Sequence, residues 1–126
     1  MQGRGRNLSK KLKAYKFQLH LHLMWDILEE ISKISLIFQK DTISISQVKA
    51  EIERASQVLE NMGRRPGRHL AAFQEEVGDG TMFKGVSLTR NNTDDRLFEQ
   101  SKAAIIINAK QFLASRFEDL DRKSVV

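Results

Sequence analysis

Cysteine is missing altogether from the 126 residues, which excludes a disulfide framework and any cysteine-based zinc site. No run approaches the roughly 18 apolar residues that a membrane-spanning helix needs. The basic N-terminus does not lead into a secretory signal, because its next apolar residues alternate with His20, His22, Gln18 and Asp26. Acidic residues are lacking before position 17, where Arg4, Arg6, Lys10, Lys11, Lys13 and Lys16 stand together. The net charge of +5 is therefore carried by this leading arm, since the remainder holds 15 basic against 16 acidic residues. A nearly neutral body argues against a general nucleic-acid-binding face. Catalytic signatures are missing too. There is no nucleophile elbow, phosphate loop or Ser-His-Asp constellation, and Gly78-Asp79-Gly80 alone is too short a signal for a phosphate loop.

What is present is helical periodicity. From Phe17 to Gln39, the row Phe17, Leu21, Met24, Leu28, Ile31 and Phe38 follows an alternating spacing of three and four, with Ile27 and Ile34 beside it. No Gly or Pro interrupts the stretch, and this row is expected to face a core. After a polar turn, Ser44 and Gln47 form a capping-box signature, with Ile43 and Val48 placed as a hydrophobic staple. The second helix runs to about Met62, with Ile45, Val48, Ile52, Ala55, Leu59 and Met62 inward and Gly63 as its C-cap. A short connection between two such helices favours an antiparallel hairpin.

Arg64-Arg65-Pro66-Gly67-Arg68 reads as a connector, and a short helix from Arg68 to Val77 follows with Leu70, Phe73 and Val77 inward. Gly78 to Asn92 shows no helical period and is expected to be mobile, with Met82, Phe83, Val86 and Leu88 able to form a brief extended segment. Asn92 or Thr93 then caps a last helix that reaches about Asp121, with Asp94 and Asp95 in its first turn, where the helix dipole favours negative charge. Phe98, Ile105, Phe112 and Leu113 are its expected inner face. The fold class that follows is all-α: an antiparallel bundle of two or three long helices plus one short helix, with an irregular Gly-containing loop. Residues 1–15 are expected to be a flexible basic arm, 16–122 a single helical domain, and 123–126 a tail.

Each candidate site has a plain alternative. His20 and His22 are two residues apart, so on a helix they diverge by about 200° and cannot grip one metal. Asp94 and Asp95 serve as dipole partners, and Glu118, Asp119 and Asp121 as a solvated helix end, rather than as converging catalytic acids. No metal, no cofactor, no small-molecule substrate and no enzymatic activity are expected. Trp25 is the single tryptophan, suited to a partly buried core position or to anchoring a partner. The surface expected to meet a protein partner or a second copy comprises Met24, Trp25, Phe38, Phe112 and Phe117. A second, nucleic-acid-associated reading rests on Arg4, Arg6, Lys10, Lys11, Lys13 and Lys16, with Arg64, Arg65 and Arg68. Such a basic cluster also suits nuclear import, so a nuclear rather than cytoplasmic location is expected.

The stretch AYKFQLHLHLMWDILEEISKISLIFQKD resembles a recurring segment of hAT-type transposase-like proteins. The pattern carried is Trp25-Asp26-Ile27-Leu28, then Ile34-Ser35-Leu36, then Phe38-Gln39-Lys40-Asp41. Gln111-Phe112-Leu113 to Arg116-Phe117-Glu118-Asp119-Leu120 is similar to a later helix of the same proteins. The resemblance implies a non-catalytic helical segment inserted within a ribonuclease-H-like core, whose acidic triad maps onto none of these residues. The helix that stops soon after Asp121, with aromatics still presented, agrees with a fragment of a larger transposase-like domain.

Overall fold

The computed structural model describes residues 10–39 and 44–124, the side chains of 120–124 excepted, and its fold is all-α. Helix α1 spans Tyr15–Phe38, α2 Ile45–Met62, α3 Arg68–Val77 and α4 Asp94–Ser124. Between α3 and α4 lies a two-stranded hairpin, β1 (Met82–Phe83) and β2 (Val86–Ser87). The chain divides into two compact units, each built from two stretches. The first takes residues up to Asp26 together with Pro66–Lys102, and the second Ile27–Arg65 together with residues from Ala103 onward. Arg4, Arg6 and Ile43 lie outside the described residues.

The face that α1 buries corrects the expected one. Phe17, Leu21, Met24 and Leu28 are exposed, and Ile31 and Phe38 are half-buried. Tyr15, Leu19 and Leu23 are buried in the first unit instead, while Ile27 and Ile34, which flank the expected row, are buried in the second as read. The buried face also carries Gln18, His22, Asp26 and Glu30, which a hydrophobicity pattern assigns to solvent. Each of them keeps at least one hydrogen-bond partner. Gln18 donates to the Leu12 carbonyl at 2.7 Å, and His22 Nδ1 lies 2.7 Å from the Gln18 carbonyl. Among the described residues, no buried side-chain nitrogen or oxygen lacks a partner.

In the first unit, Asp26 explains why α3 starts where it does. Its carboxylate oxygens accept from the backbone amides of His69 (2.8 Å) and Leu70 (3.0 Å), two of the donors that a helix N-terminus leaves unpaired. The N-cap residue, Gly67, has no side chain with which to do this. Leu70, Phe73 and Val77 are buried, as their spacing predicts. The segment expected to be mobile is tied down at several points. Lys84 (φ 50°) and Gly85 (φ 79°) supply the paired positive φ angles of a two-residue type I′ turn. Leu88 is buried, and Thr89 bridges to the residues ahead of α1, donating to Lys13 O at 2.7 Å and accepting from Tyr15 N at 2.8 Å.

In the second unit, α2 starts as its sequence predicts. The Gln47 amide donates to Ser44 Oγ at 3.2 Å and the Ser44 amide to Gln47 Oε1 at 2.9 Å, closing the capping box. Val48, Ile52, Ala55, Leu59 and Met62 are buried, while Ile45, at the first position, is exposed. Gly63 ends the helix with right-handed dihedrals rather than in a left-handed cap. Glu30 accepts from Arg54 at 2.6 Å and Lys33 at 3.2 Å. Arg54 also donates to Glu51 at 3.0 Å, and its hydrogen bonds to Glu30 and Glu51 push its guanidinium above the usual range. Glu30 lies about two turns before the end of α1 and Arg54 about two turns after the start of α2, the matching offsets of an antiparallel pair.

On α4 the expected inner row holds at Phe98 and Leu113 and fails at Ile105 and Phe112. Phe98 and Lys102 in the first unit, and Ile106 and Leu113 in the second, are buried, whereas Ile105 is half-buried and Phe112 exposed. Lys102 is tolerated inside because its ammonium reaches Glu99 at 2.8 Å while its stem is covered.

Candidate functional site

On the first unit's part of α1, Phe17, Leu21, Met24 and Trp25 fall within about 100° of one another, roughly opposite the row Tyr15, Leu19 and Leu23 that fills the core. The helix is thus apolar on two faces, and only one is covered. Leu21 is 43% exposed and Trp25 54%. Two residues of the expected partner surface, Met24 and Trp25, lie in this row.

Trp25 also forms a wall of a cleft of about 190 Å³ built by α1, α3 and β1. Its indole stacks on the His69 ring, with centroids 3.8 Å apart and planes inclined by 9°. Deeper in, the His22 ring stacks on Phe73 (4.7 Å, 17°), and Phe83 stands edge-on to both (4.7 Å and 5.5 Å). The cleft is lined further by Glu76 and Lys84. Glu76 accepts the Lys84 backbone amide, and the Lys84 ammonium sits 5.7 Å from the centre of the Phe83 ring. The arrangement offers aromatic faces and edges, with one charge of each sign. It suits recognition of a ring.

A second cluster fixes the hairpin beside these residues. The Tyr15 hydroxyl donates to Asp95 Oδ1 at 2.7 Å, and the Arg90 guanidinium lies 3.9 Å from the centre of the Tyr15 ring. Arg90 donates from one nitrogen to the carbonyls of Gly78 and Gly80, both at 2.8 Å, and from the other to Asp95 Oδ2 at 3.2 Å. Burial, then the hydrogen bond to the Asp95 carboxylate and its charge, push the Tyr15 phenol up to about 12. Asp94 is engaged locally, accepting the Asn91 amide at 2.9 Å.

The second unit holds the rest of the expected partner surface. Phe112 is exposed, Phe38 is half-buried, and Phe117 lines a hollow of about 370 Å³ with Ile52, Ser56 and Ala114. Lys49, Lys110, Glu53 and Glu118 border the same hollow, so it carries no net charge.

The basic residues are also divided. Lys10, Lys11, Lys13 and Lys16 lie in one short exposed segment of the first unit, and Arg68 is exposed in the same unit. Arg64 and Arg65 are exposed in the second, their amides bonded to Asn61 O. The two neighbouring histidines do diverge. His20 turns its ring edge to Phe98 at 5.1 Å, and His22 goes to Phe73. Among the described residues, no cluster of three His, Asp or Glu side chains is placed to hold a metal ion, and no helix is long and apolar enough to cross a membrane.

Sequence reasoning did not find Asp26, His69, Phe83 or Glu76 as members of a site. Nothing local marks Asp26, His69 or Phe83, because His69 meets Asp26 and Trp25, and Phe83 meets His22, across more than 40 residues of chain. A comparison with known protein-family models gives no match, and neither does one with solved structures.

Proposed function

We propose that the chain is a non-catalytic helical interaction module, of transposase-derived ancestry, that docks a partner's amphipathic helix along the outer row of α1. The observation that carries this is the exposure of Phe17, Leu21, Met24 and Trp25 at helical spacing, directly behind a filled core row. A contiguous apolar row of this kind is costly in water, and helix-on-helix docking covers it at the i, i+4, i+7 positions that such partners read. Trp is the residue most enriched among the anchors of protein interfaces. The ancestry rests on the sequence pattern around Trp25 and Phe112 alone.

In a purified sample the nearest apolar helix is another copy, so the row reports itself by weak self-association. Trp25 is the only tryptophan, and its emission reads the row directly. Its spectrum should shift to the blue, and its quenching by acrylamide should fall, as protein concentration rises. An indole that stays as accessible at high concentration as at low would defeat the reading.

A second reading has one observation of its own. Lys10, Lys11, Lys13 and Lys16 are exposed, and no ion pair engages them among the described residues. Phosphate binding through them would weaken steeply with salt, the logarithm of affinity falling by about 0.9 per neutralised phosphate for each tenfold rise in salt. It would vanish when they are replaced by glutamine.

A further inference from the structure

We infer that the cleft beside Trp25 receives the ring of a tyrosine or tryptophan from a partner protein, its O–H or N–H donating to Nε2 of His22. This deepens the docking reading and rests on it, since Trp25 belongs both to the outer row of α1 and to the wall of the cleft.

His22 is the reason for a donor. The residue is 8% exposed, and its Nδ1 lies 2.7 Å from the Gln18 carbonyl oxygen. A carbonyl only accepts, so Nδ1 carries a proton, and in that tautomer Nε2 is an acceptor. No side chain or backbone group among the described residues donates to Nε2. It is not sealed in the packed interior either, because no buried side-chain nitrogen there lacks a partner. His22 lines the cleft, and Nε2 is the polar atom it offers to an occupant.

The cleft's size and walls specify a ring. Its volume of about 190 Å³ falls below the roughly 300–1,000 Å³ of small-molecule sites, so it accommodates one side chain and not a cofactor. Phe73, Phe83 and the stacked Trp25–His69 pair supply the faces and edges against which an aromatic ring packs. Glu76 and Lys84 add charges of opposite sign. Because these charges offset each other, the cleft offers a phosphate no net positive charge, which directs the proposal to a protein side chain and away from a nucleotide.

The ring does not come from a second copy of this chain. Its single tyrosine is buried, with its hydroxyl on Asp95, and its single tryptophan is the cleft's own wall. The occupant belongs to a different protein.

The test uses N-acetyl-tyrosinamide, N-acetyl-phenylalaninamide and uridine monophosphate as probes, titrated into the whole chain and followed by NMR. The tyrosine compound should shift the amides of His69, Phe73 and Phe83 and the Nε2 resonance of His22. The phenylalanine compound, which fits the same walls but lacks the donor, should bind about tenfold more weakly, the loss of one hydrogen bond to a buried acceptor. In His22→Phe, which keeps a ring to stack on Phe73, that difference should disappear. Equal binding of the two amides by the unaltered chain overturns the proposal, as do tighter binding of the nucleotide and shifts that map elsewhere. Failure here leaves Trp25 emission free to change with concentration, so loss of the ring site and loss of the docking row are separately visible.

Discussion

Asp26 caps α3 only because residue 67 has no side chain. A Cβ on Gly67 would lie 2.5 Å from both Cγ and Oδ2 of Asp26, inside any allowed contact. The carboxylate therefore reaches the His69 and Leu70 amides through the space that glycine leaves open.

Two substitutions follow from this pair. Asp26→Ala should cost about 1–3 kcal/mol, since it strands two helix-end amides in a buried setting. Gly67→Ala should cost a similar amount, because it expels the same carboxylate. The double variant should be little worse than either single one, as both remove one interaction. Urea unfolding of the four proteins measures this, and simple additivity of the two losses would contradict it.

Arg90 joins Gly78, Gly80, Tyr15 and Asp95 through one planar group. Arg90→Ala should raise hydrogen exchange at the Leu88 and Thr89 amides, which hold the hairpin segment in place, by about tenfold or more. Arg90→Lys should not restore protection, because an ammonium cannot span two carbonyls while stacking on a ring. Unchanged exchange in Arg90→Ala would mean that the hairpin is held by other contacts.

The phenol of Tyr15 sits at about 12 in the folded chain against 10.0 in an unfolded one. Folding thus favours the protonated phenol. That contribution is complete below pH 10 and is lost as pH rises through 12. Tyr15 is the only tyrosine, so its phenolate absorbance titrates without overlap. Wild-type stability should fall more steeply than that of Tyr15→Phe between pH 10 and 12. Parallel curves, or a phenol that titrates near 10 in the folded protein, would refute this.

How far the sequence carried depended on how local each signal was. The α2 capping box closes within four residues, and the α3 core triplet of Leu70, Phe73 and Val77 lies within one short helix, so both were legible. The buried face of α1 was not. Two apolar rows with the same spacing compete there, and the winning one includes His22, Asp26 and Glu30, whose partners Phe73, Leu70 and Arg54 lie on other elements. The same cause hid the cleft. Trp25 stood out by its rarity, but His69 and Phe83 acquire meaning only once α3 and β1 bring their rings to it. Phe17, Leu21, Met24 and Leu28 on α1 and Phe112 on α4, all read as core-facing, are exposed.

Sedimentation velocity tests the docking surface most directly. The whole chain should be run at several concentrations, in low and high salt, with and without a short DNA duplex, beside Leu21→Glu. The docking account predicts concentration-dependent association that survives high salt, ignores the duplex and is abolished by the glutamate, since apolar contact is not screened by ions. A monomer at every concentration, identical to Leu21→Glu and shifting only onto DNA at low salt, would contradict it and move the function to Lys10, Lys11, Lys13 and Lys16.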